Sequence, residues 1–180
     1  MRARAGVVAL VLLLAGCGAD SGEPMKIDWD LSRSHTMNDV AWPDPSADSI
    51  ELRPIASARI RFSDDREINE TSAIRRVAVD REGRQIAELA IYSTPATVED
   101  AYRLALRWCK LWKLPTTAID EWHAGGGKHF NVAAYDPRQH LGPNHPEPSV
   151  KVLSSFDDDR PVIMSLQFFW PAETADGNSR

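Results

Sequence analysis

The apolar residues between positions 97 and 114 constrain the fold of this 180-residue chain more than any other feature. They recur three and four residues apart, so they form one stripe along a helix. The stripe consists of Ala101, Leu104, Ala105, Trp108, Leu111 and Trp112. Thr97 followed by Asp100 is typical of an N-terminal capping box, and Pro115 ends the pattern. The sequence therefore predicts one main amphipathic helix over about residues 97–114.

Two β-hairpins are predicted, one on each side of this helix. Residues 74–79 and 85–92 are joined by a polar stretch containing Gly83, which suits a turn position with positive φ. Residues 150–156 and 162–170 flank an aspartate-rich turn. In the last segment every second residue from Val162 to Trp170 is apolar and the alternate face is partly apolar, which predicts a central strand covered in part on both sides.

Weaker patterns complete the predicted fold. Residues 27–31, 58–62 and 130–135 are short candidate strands, whereas 116–122 fits a short helix or a strand equally well. The polar residues 63–72 are assigned to a connection. We therefore expect an α+β fold, in which an antiparallel sheet of about five to seven strands carries the main helix on one face.

The N-terminus has the layout of a secretory signal peptide. Arg2 and Arg4 precede an apolar run over residues 7–14, which is shorter than the roughly 20 residues of a membrane-spanning helix. The run ends in Leu14-Ala15-Gly16-Cys17, which resembles the lipobox of bacterial lipoproteins. The resemblance covers residues 1–17 only. It implies cleavage before Cys17, lipidation of that cysteine and attachment to a lipid bilayer.

This resemblance sets the expected domain organisation and location. We expect a signal peptide over 1–16, the lipidated cysteine and a flexible tether over 17–26, a single domain over 27–170 and a disordered tail over 171–180. Gly18 stands where many inner-membrane lipoproteins of Gram-negative bacteria carry aspartate. The resemblance therefore favours the periplasmic side of the outer membrane in a Gram-negative cell, and otherwise the outside of the cytoplasmic membrane.

Charge and cysteine content narrow the range of partners. Cleavage would remove two of the 21 basic residues and none of the 26 acidic ones, leaving a net charge of −7. Such a domain repels nucleic acid, so we expect no nucleic-acid partner. With Cys17 lipidated, Cys109 is the only remaining thiol, and its place beside the helix stripe favours an inert buried cysteine over a nucleophile.

Four histidines, His123, His129, His140 and His145, are weak candidates for a metal site. Their spacing matches no common ligand motif, and exposed loop histidines are the preferred interpretation. The run Gly125-Gly126-Gly127-Lys128 does not fit a phosphate-binding loop, because His129 stands in place of the required Ser or Thr. We expect no metal and no cofactor.

Two of the six tryptophans, Trp42 and Trp122, lie in Pro- or Gly-flanked contexts. They are candidate surface anchors for a partner, with burial under a loop as the alternative.

The sequence favours a membrane-anchored envelope lipoprotein that acts as a non-enzymatic binding or accessory protein, such as an inhibitor, an immunity protein or an assembly factor. The expected partner is an envelope protein or a secreted protein. One alternative is a metal-binding protein or hydrolase that uses the region from His123 to His145. Another is a structural lipoprotein associated with the cell wall.

Overall fold

A computed structural model describes residues 23–33, 35–40, 42, 44, 46–63, 65–127, 132–136, 148–154 and 161–170. The structure confirms the predicted α+β class. The strands form two sheets instead of the single antiparallel sheet that was predicted. The elements in chain order are β1 Met25–Asp30, β2 Ser49–Leu52, β3 Ile55–Ser63, β4 Arg66–Thr71, β5 Ile74–Glu82, β6 Gln85–Ser93, α1 Val98–Trp112, α2 Thr117–Ala124, β7 Val132–Tyr135, β8 Ser149–Ser154 and β9 Met164–Phe169. Cys17 and the tail 171–180 lie outside the described residues, and β1 begins two residues before the expected domain boundary.

Helix α1 forms where the stripe predicts it. The Thr97 hydroxyl accepts a hydrogen bond from the Asp100 amide at 3.2 Å, which satisfies one of the free N–H groups at the helix start. At the other end Lys113 adopts a left-handed conformation with φ 54°, and Pro115 follows. Trp108 and Trp112 are 2% and 3% exposed, so the largest side chains of the stripe are in the core.

The larger sheet contains six antiparallel strands in the order β2-β5-β6-β9-β8-β7. Both predicted hairpins are confirmed as antiparallel pairs, and β9 is central because β6 and β8 flank it. One face of this sheet, the inner face, is buried except at Leu52 of β2, which is half-buried. Its buried apolar residues are Ile50, Val77, Val79, Leu89, Ile91, Ala133, Val150, Val152, Met164, Leu166 and Phe168.

The smaller sheet has the order β1-β3-β4, with β1 parallel to β3 and β4 antiparallel to it. Strand β4 replaces part of the polar connection predicted over 63–72. Its sequence gave little indication of a strand because only Ile68 of its six residues is buried. Strand β2 was also missed, since its single buried residue is Ile50.

Three aromatic rings join the two sheets and the helix. Phe168 of the inner face stacks on Phe62 of β3 with ring centroids 4.3 Å apart. Trp112 of α1 meets both rings edge-on, at 5.0 Å from Phe168 and 5.1 Å from Phe62. Aromatic contacts of this geometry add to the hydrophobic burial of the rings. The small sheet and α1 therefore share the inner face of the large sheet.

Helix α2 resolves the ambiguity over residues 116–122, and the glycine run after it forms a defined turn. Gly126 and Gly127 have φ of 74° and 73°, values that favour glycine. A Cβ atom at Gly127 would lie 2.6 Å from Cγ2 of Val98, so this glycine also permits close packing of the turn on α1.

We expect Gly127→Ala to lower the free energy of unfolding by roughly 3 kcal/mol, because the methyl group combines left-handed strain with a clash against Val98. Gly83→Ala is the matched control: its φ is 61°, but its Cβ would meet nothing within 4 Å, so a loss of only about 1 kcal/mol is expected. Urea denaturation of both variants measures the difference. Equal losses would show that Gly127 is not tightly packed.

Candidate functional site

One cluster of polar side chains lies where α1 and α2 meet. The His123 ring stacks on Tyr102 with centroids 3.9 Å apart, and its Nε2 atom lies 3.0 Å from a Glu99 carboxylate oxygen. The Tyr102 hydroxyl donates to Asp120 at 2.8 Å. This hydrogen bond raises the pKa of Tyr102, with smaller contributions from burial and from the charges of Asp120 and Glu99. The cluster links the two helices at their exposed side.

Of the four histidines considered for a metal site, His123 is the one that lies within the described ranges. His123 has Glu99 as its carboxylate neighbour, while His129, His140 and His145 lie outside the described residues. Within the described ranges, no three His, Cys, Asp or Glu side chains are grouped so that they could hold a metal ion. Glu99 also forms an ion pair at 3.0 Å with Arg103, which lies one turn further along α1.

The two candidate tryptophans occupy different environments. The prediction that Trp122 is a surface anchor is wrong, because this residue is 2% exposed. Helix α2 packs on α1, and the Trp122 side chain belongs to the core. Trp42 is half-buried against the core, and the Arg81 guanidinium lies 5.9 Å from its ring centroid. Trp42 therefore stays a candidate for partner contact.

Cys109 is fully buried in α1, in agreement with the preferred interpretation of an inert thiol. Burial raises the pKa of the Cys109 thiol to about 11, and the negative charge of Asp120 contributes to the same shift. Because the thiolate is the reactive form, both the shift and the burial protect this cysteine from electrophiles.

We expect iodoacetamide to alkylate Cys109 of the folded protein at pH 8 at least about 100-fold more slowly than the same thiol in urea, since a rise of two pKa units lowers the thiolate fraction about 100-fold. Mass spectrometry of the peptide containing Cys109 measures the rate. Comparable rates in buffer and in urea would contradict the buried position.

A second candidate site is the outer face of the six-stranded sheet, most of whose residues are exposed or half-buried, whereas Ala90 and Ser165 are buried. The strand register places its residues on the side of the sheet away from the inner face. Both helices and the small sheet lie on the inner-face side. We define the outer face by Glu51, Arg76, Ala78, Asp80, Glu88, Ala90, Tyr92, Ala134, Lys151, Leu153, Ser165, Gln167 and Phe169. Tyr92, Leu153 and Phe169 are half-buried, so this face presents apolar surface between charged groups.

Cations flank the aromatic side chains of the outer face. The Arg76 guanidinium lies 3.7 Å from the centroid of the Tyr92 ring, and Lys151 Nζ lies 4.6 Å from the centroid of the Phe169 ring. Ala78 and Ala90 pair with each other in the row between these two aromatics. Ala78 is half-buried and Ala90 is buried, so this row contributes little exposed surface between Tyr92 and Phe169.

Two carboxylates stand directly opposite each other on the outer face. Asp80 of β5 pairs with Glu88 of β6, an arrangement in which like charges repel. Burial raises the pKa of Glu88, the charge of Asp80 raises it further, and Lys151 opposes the shift. Glu88 is therefore a partly desolvated acid whose charge is poorly compensated.

Glu88→Gln should raise the melting temperature at pH 7, because the substitution removes this repulsion. The free energy of unfolding should rise by less than about 1 kcal/mol. Since the folded-state pKa of Glu88 is raised, the wild-type protein loses stability relative to the variant as pH rises through that pKa. The gain should therefore disappear at pH 3.5, where the wild-type carboxyl is protonated.

Glu67→Gln is the control for this measurement. Glu67 pairs with Arg59 at 3.2 Å, so its loss should lower or leave unchanged the melting temperature at pH 7. Differential scanning calorimetry at both pH values distinguishes the two carboxylates. A destabilised Glu88→Gln protein at pH 7 would contradict the repulsion.

The outer face was missed from sequence because its residues come from six strands. The partly apolar second face of β9, carried by Phe169, was the one available signal. In the described ranges, no helix combines the length and apolar character needed to cross a bilayer. Comparison of the chain with protein-family models, curated proteins and solved structures gives no match.

Proposed function

We propose that this chain is a membrane-anchored envelope lipoprotein whose domain binds an envelope or secreted protein through the outer face. The lipobox at Leu14–Cys17 supports the anchor. Strand β1 begins at Met25, eight positions after Cys17, so at about 3.5 Å per position the domain starts at most about 28 Å from the anchor. An anchored domain of this design would meet its partner close to the bilayer.

The observation that carries the binding proposal is the combination of apolar and acidic groups on the outer face. Tyr92, Leu153 and Phe169 offer half-buried apolar surface, and aromatic groups of this kind contribute strongly to protein interfaces. The Asp80–Glu88 pair offers a position where a lysine or arginine of the partner would relieve repulsion. The partner is therefore a protein whose contact surface is apolar and carries a basic side chain opposite the Asp80–Glu88 pair.

Long-range charge favours the same partner. The mature chain would carry a net charge of −7, which speeds association with a basic protein and disfavours acidic competitors. The proposed activity is binding without chemical conversion of the partner, as expected of an inhibitor, an immunity protein or an assembly factor.

The anchor is tested by metabolic labelling with radioactive palmitate. The wild-type chain should be labelled, and Cys17→Ser should abolish the label. Cys109→Ala is the matched control, because Cys109 is the only other cysteine in the sequence. This substitution should leave the label unchanged. A labelled Cys17→Ser protein would contradict lipidation at Cys17.

Binding is tested by photo-crosslinking in the native cell, with a photoreactive amino acid at Gln167 of the outer face or at exposed Lys110 of α1. We expect one discrete protein adduct from position 167 and none from position 110. Glu88→Lys should reduce the adduct at least fivefold, whereas Glu121→Lys on exposed α2 should not. The same adduct from both positions, or no loss with Glu88→Lys, would overturn the proposal.

A further inference from the structure

Basic side chains follow one another along the exposed side of α1. The first three recur at intervals of four and three residues, and the fourth is the residue that caps the helix. We define the basic stripe by Arg103, Arg107, Lys110 and Lys113, all of which are exposed. Leu106 and Leu111 flank it and are half-buried against the core. The exposed side of α1 therefore combines positive charge with some apolar surface.

The arginines of the basic stripe have carboxylate partners, whereas its lysines do not. Arg103 Nε lies 3.0 Å from a Glu99 oxygen, and an Arg107 terminal nitrogen lies 3.4 Å from a Glu70 oxygen. Among the described residues, no carboxylate lies within 4.0 Å of the ammonium group of either lysine. The positive charge is therefore least compensated at the C-terminal end of α1.

The basic stripe lies close to the point where the tether enters the domain. Strand register places Ile27, Ala58 and Glu70 in one row across the small sheet. Because neighbouring strands are about 4.8 Å apart, about 10 Å separates Ile27 from Glu70. Arg107 contacts Glu70, and β1 begins two residues before Ile27. A tether of at most about 28 Å thus lets the stripe reach the bilayer that holds Cys17.

An anionic bilayer surface fits the basic stripe despite the negative net charge of the chain. At physiological ionic strength, charges more than about 8 Å away are largely screened, so the groups within the contact decide its sign. Each lysine or arginine at an anionic membrane surface contributes about 1 kcal/mol, and leucines beside them can enter the headgroup layer. An acidic protein would match the same charges, but the anchor keeps a bilayer beside the stripe permanently.

We infer that the basic stripe of α1 docks on anionic phospholipid headgroups of the bilayer that carries the anchor. The inference rests on the proposed lipid anchor at Cys17 and uses no residue of the outer face. Helix α1 packs on the inner face of the large sheet. Docking through the exposed side of α1 therefore turns the outer face away from the bilayer, where a protein partner can reach it.

The test uses the chain purified from its native membranes and reconstituted into phosphatidylcholine vesicles with or without phosphatidylglycerol. Leu106→Cys carries a nitrobenzoxadiazole fluorophore, which becomes brighter in an apolar environment. Cys109 is buried and Cys17 would carry lipid, so the introduced cysteine takes the label. We expect fluorescence at least about twofold higher with phosphatidylglycerol than without it, and a loss of this increase at high ionic strength.

Lys110→Gln combined with Lys113→Gln should remove at least about half of the increase. Arg33→Gln combined with Arg84→Gln is the matched control, because it removes the same charge from exposed positions outside α1. This control should keep the increase. Equal losses in the two double variants would overturn the role of the stripe.

Flotation of the same vesicles separates this inference from the anchor. Flotation with both vesicle types at equal fluorescence would overturn docking and leave the anchor intact. Flotation only with phosphatidylglycerol, lost in the double-lysine variant, would support docking and contradict the anchor. A fluorescence increase in native membranes but in neither vesicle type would place a protein on the stripe and overturn the inference.

Discussion

The contact among Phe168, Phe62 and Trp112 holds the architecture together. Each ring comes from a different layer: the large sheet, the small sheet and α1. A six-stranded sheet with one apolar face needs a cover for that face, and neither the small sheet nor a 15-residue helix would fold stably alone. Burial of the three rings in one cluster makes formation of each layer depend on the other two.

This arrangement leaves the two faces of the large sheet chemically different. The inner face is built from branched and aromatic side chains with almost no exposure, whereas the outer face alternates small, aromatic and charged residues. The opposed carboxylates Asp80 and Glu88 do not improve the fold, because burial and, after it, the charge of Asp80 raise the pKa of Glu88. Residues that weaken a fold locally are often retained for binding, and this pair lies beside the apolar groups that a partner would cover.

The sequence predicts those elements whose signals are local. The tryptophans of α1 repeat at helical spacing, and each predicted hairpin brings together strands that are close in the chain, so periodicity and turn residues were sufficient. Strands β2 and β4 bury one residue each and carry no such period. The parallel pairing of Met25 with Ile55 depends on a contact between distant segments, which periodicity does not encode.

The candidate site was less predictable, because it depends on packing and register. Trp122 is flanked by a glycine run, yet the docking of α2 buries it. The outer face becomes visible only when the order of the six strands is known, because neighbouring strands such as β6 and β9 are distant in the chain. A single sequence identifies each of these residues without indicating that they are neighbours.

Hydroxyl-radical footprinting of the full chain tests most directly whether the outer face is covered in the cell. Tyr92 and Phe169 should be oxidised in the detergent-purified protein and protected in native envelopes. Phe168 and Trp108 should be protected in both samples because they are in the core, and Tyr102 at the junction of the helices should react equally in both. Equal oxidation of Tyr92 and Phe169 in purified protein and native envelopes would contradict a bound partner on this face.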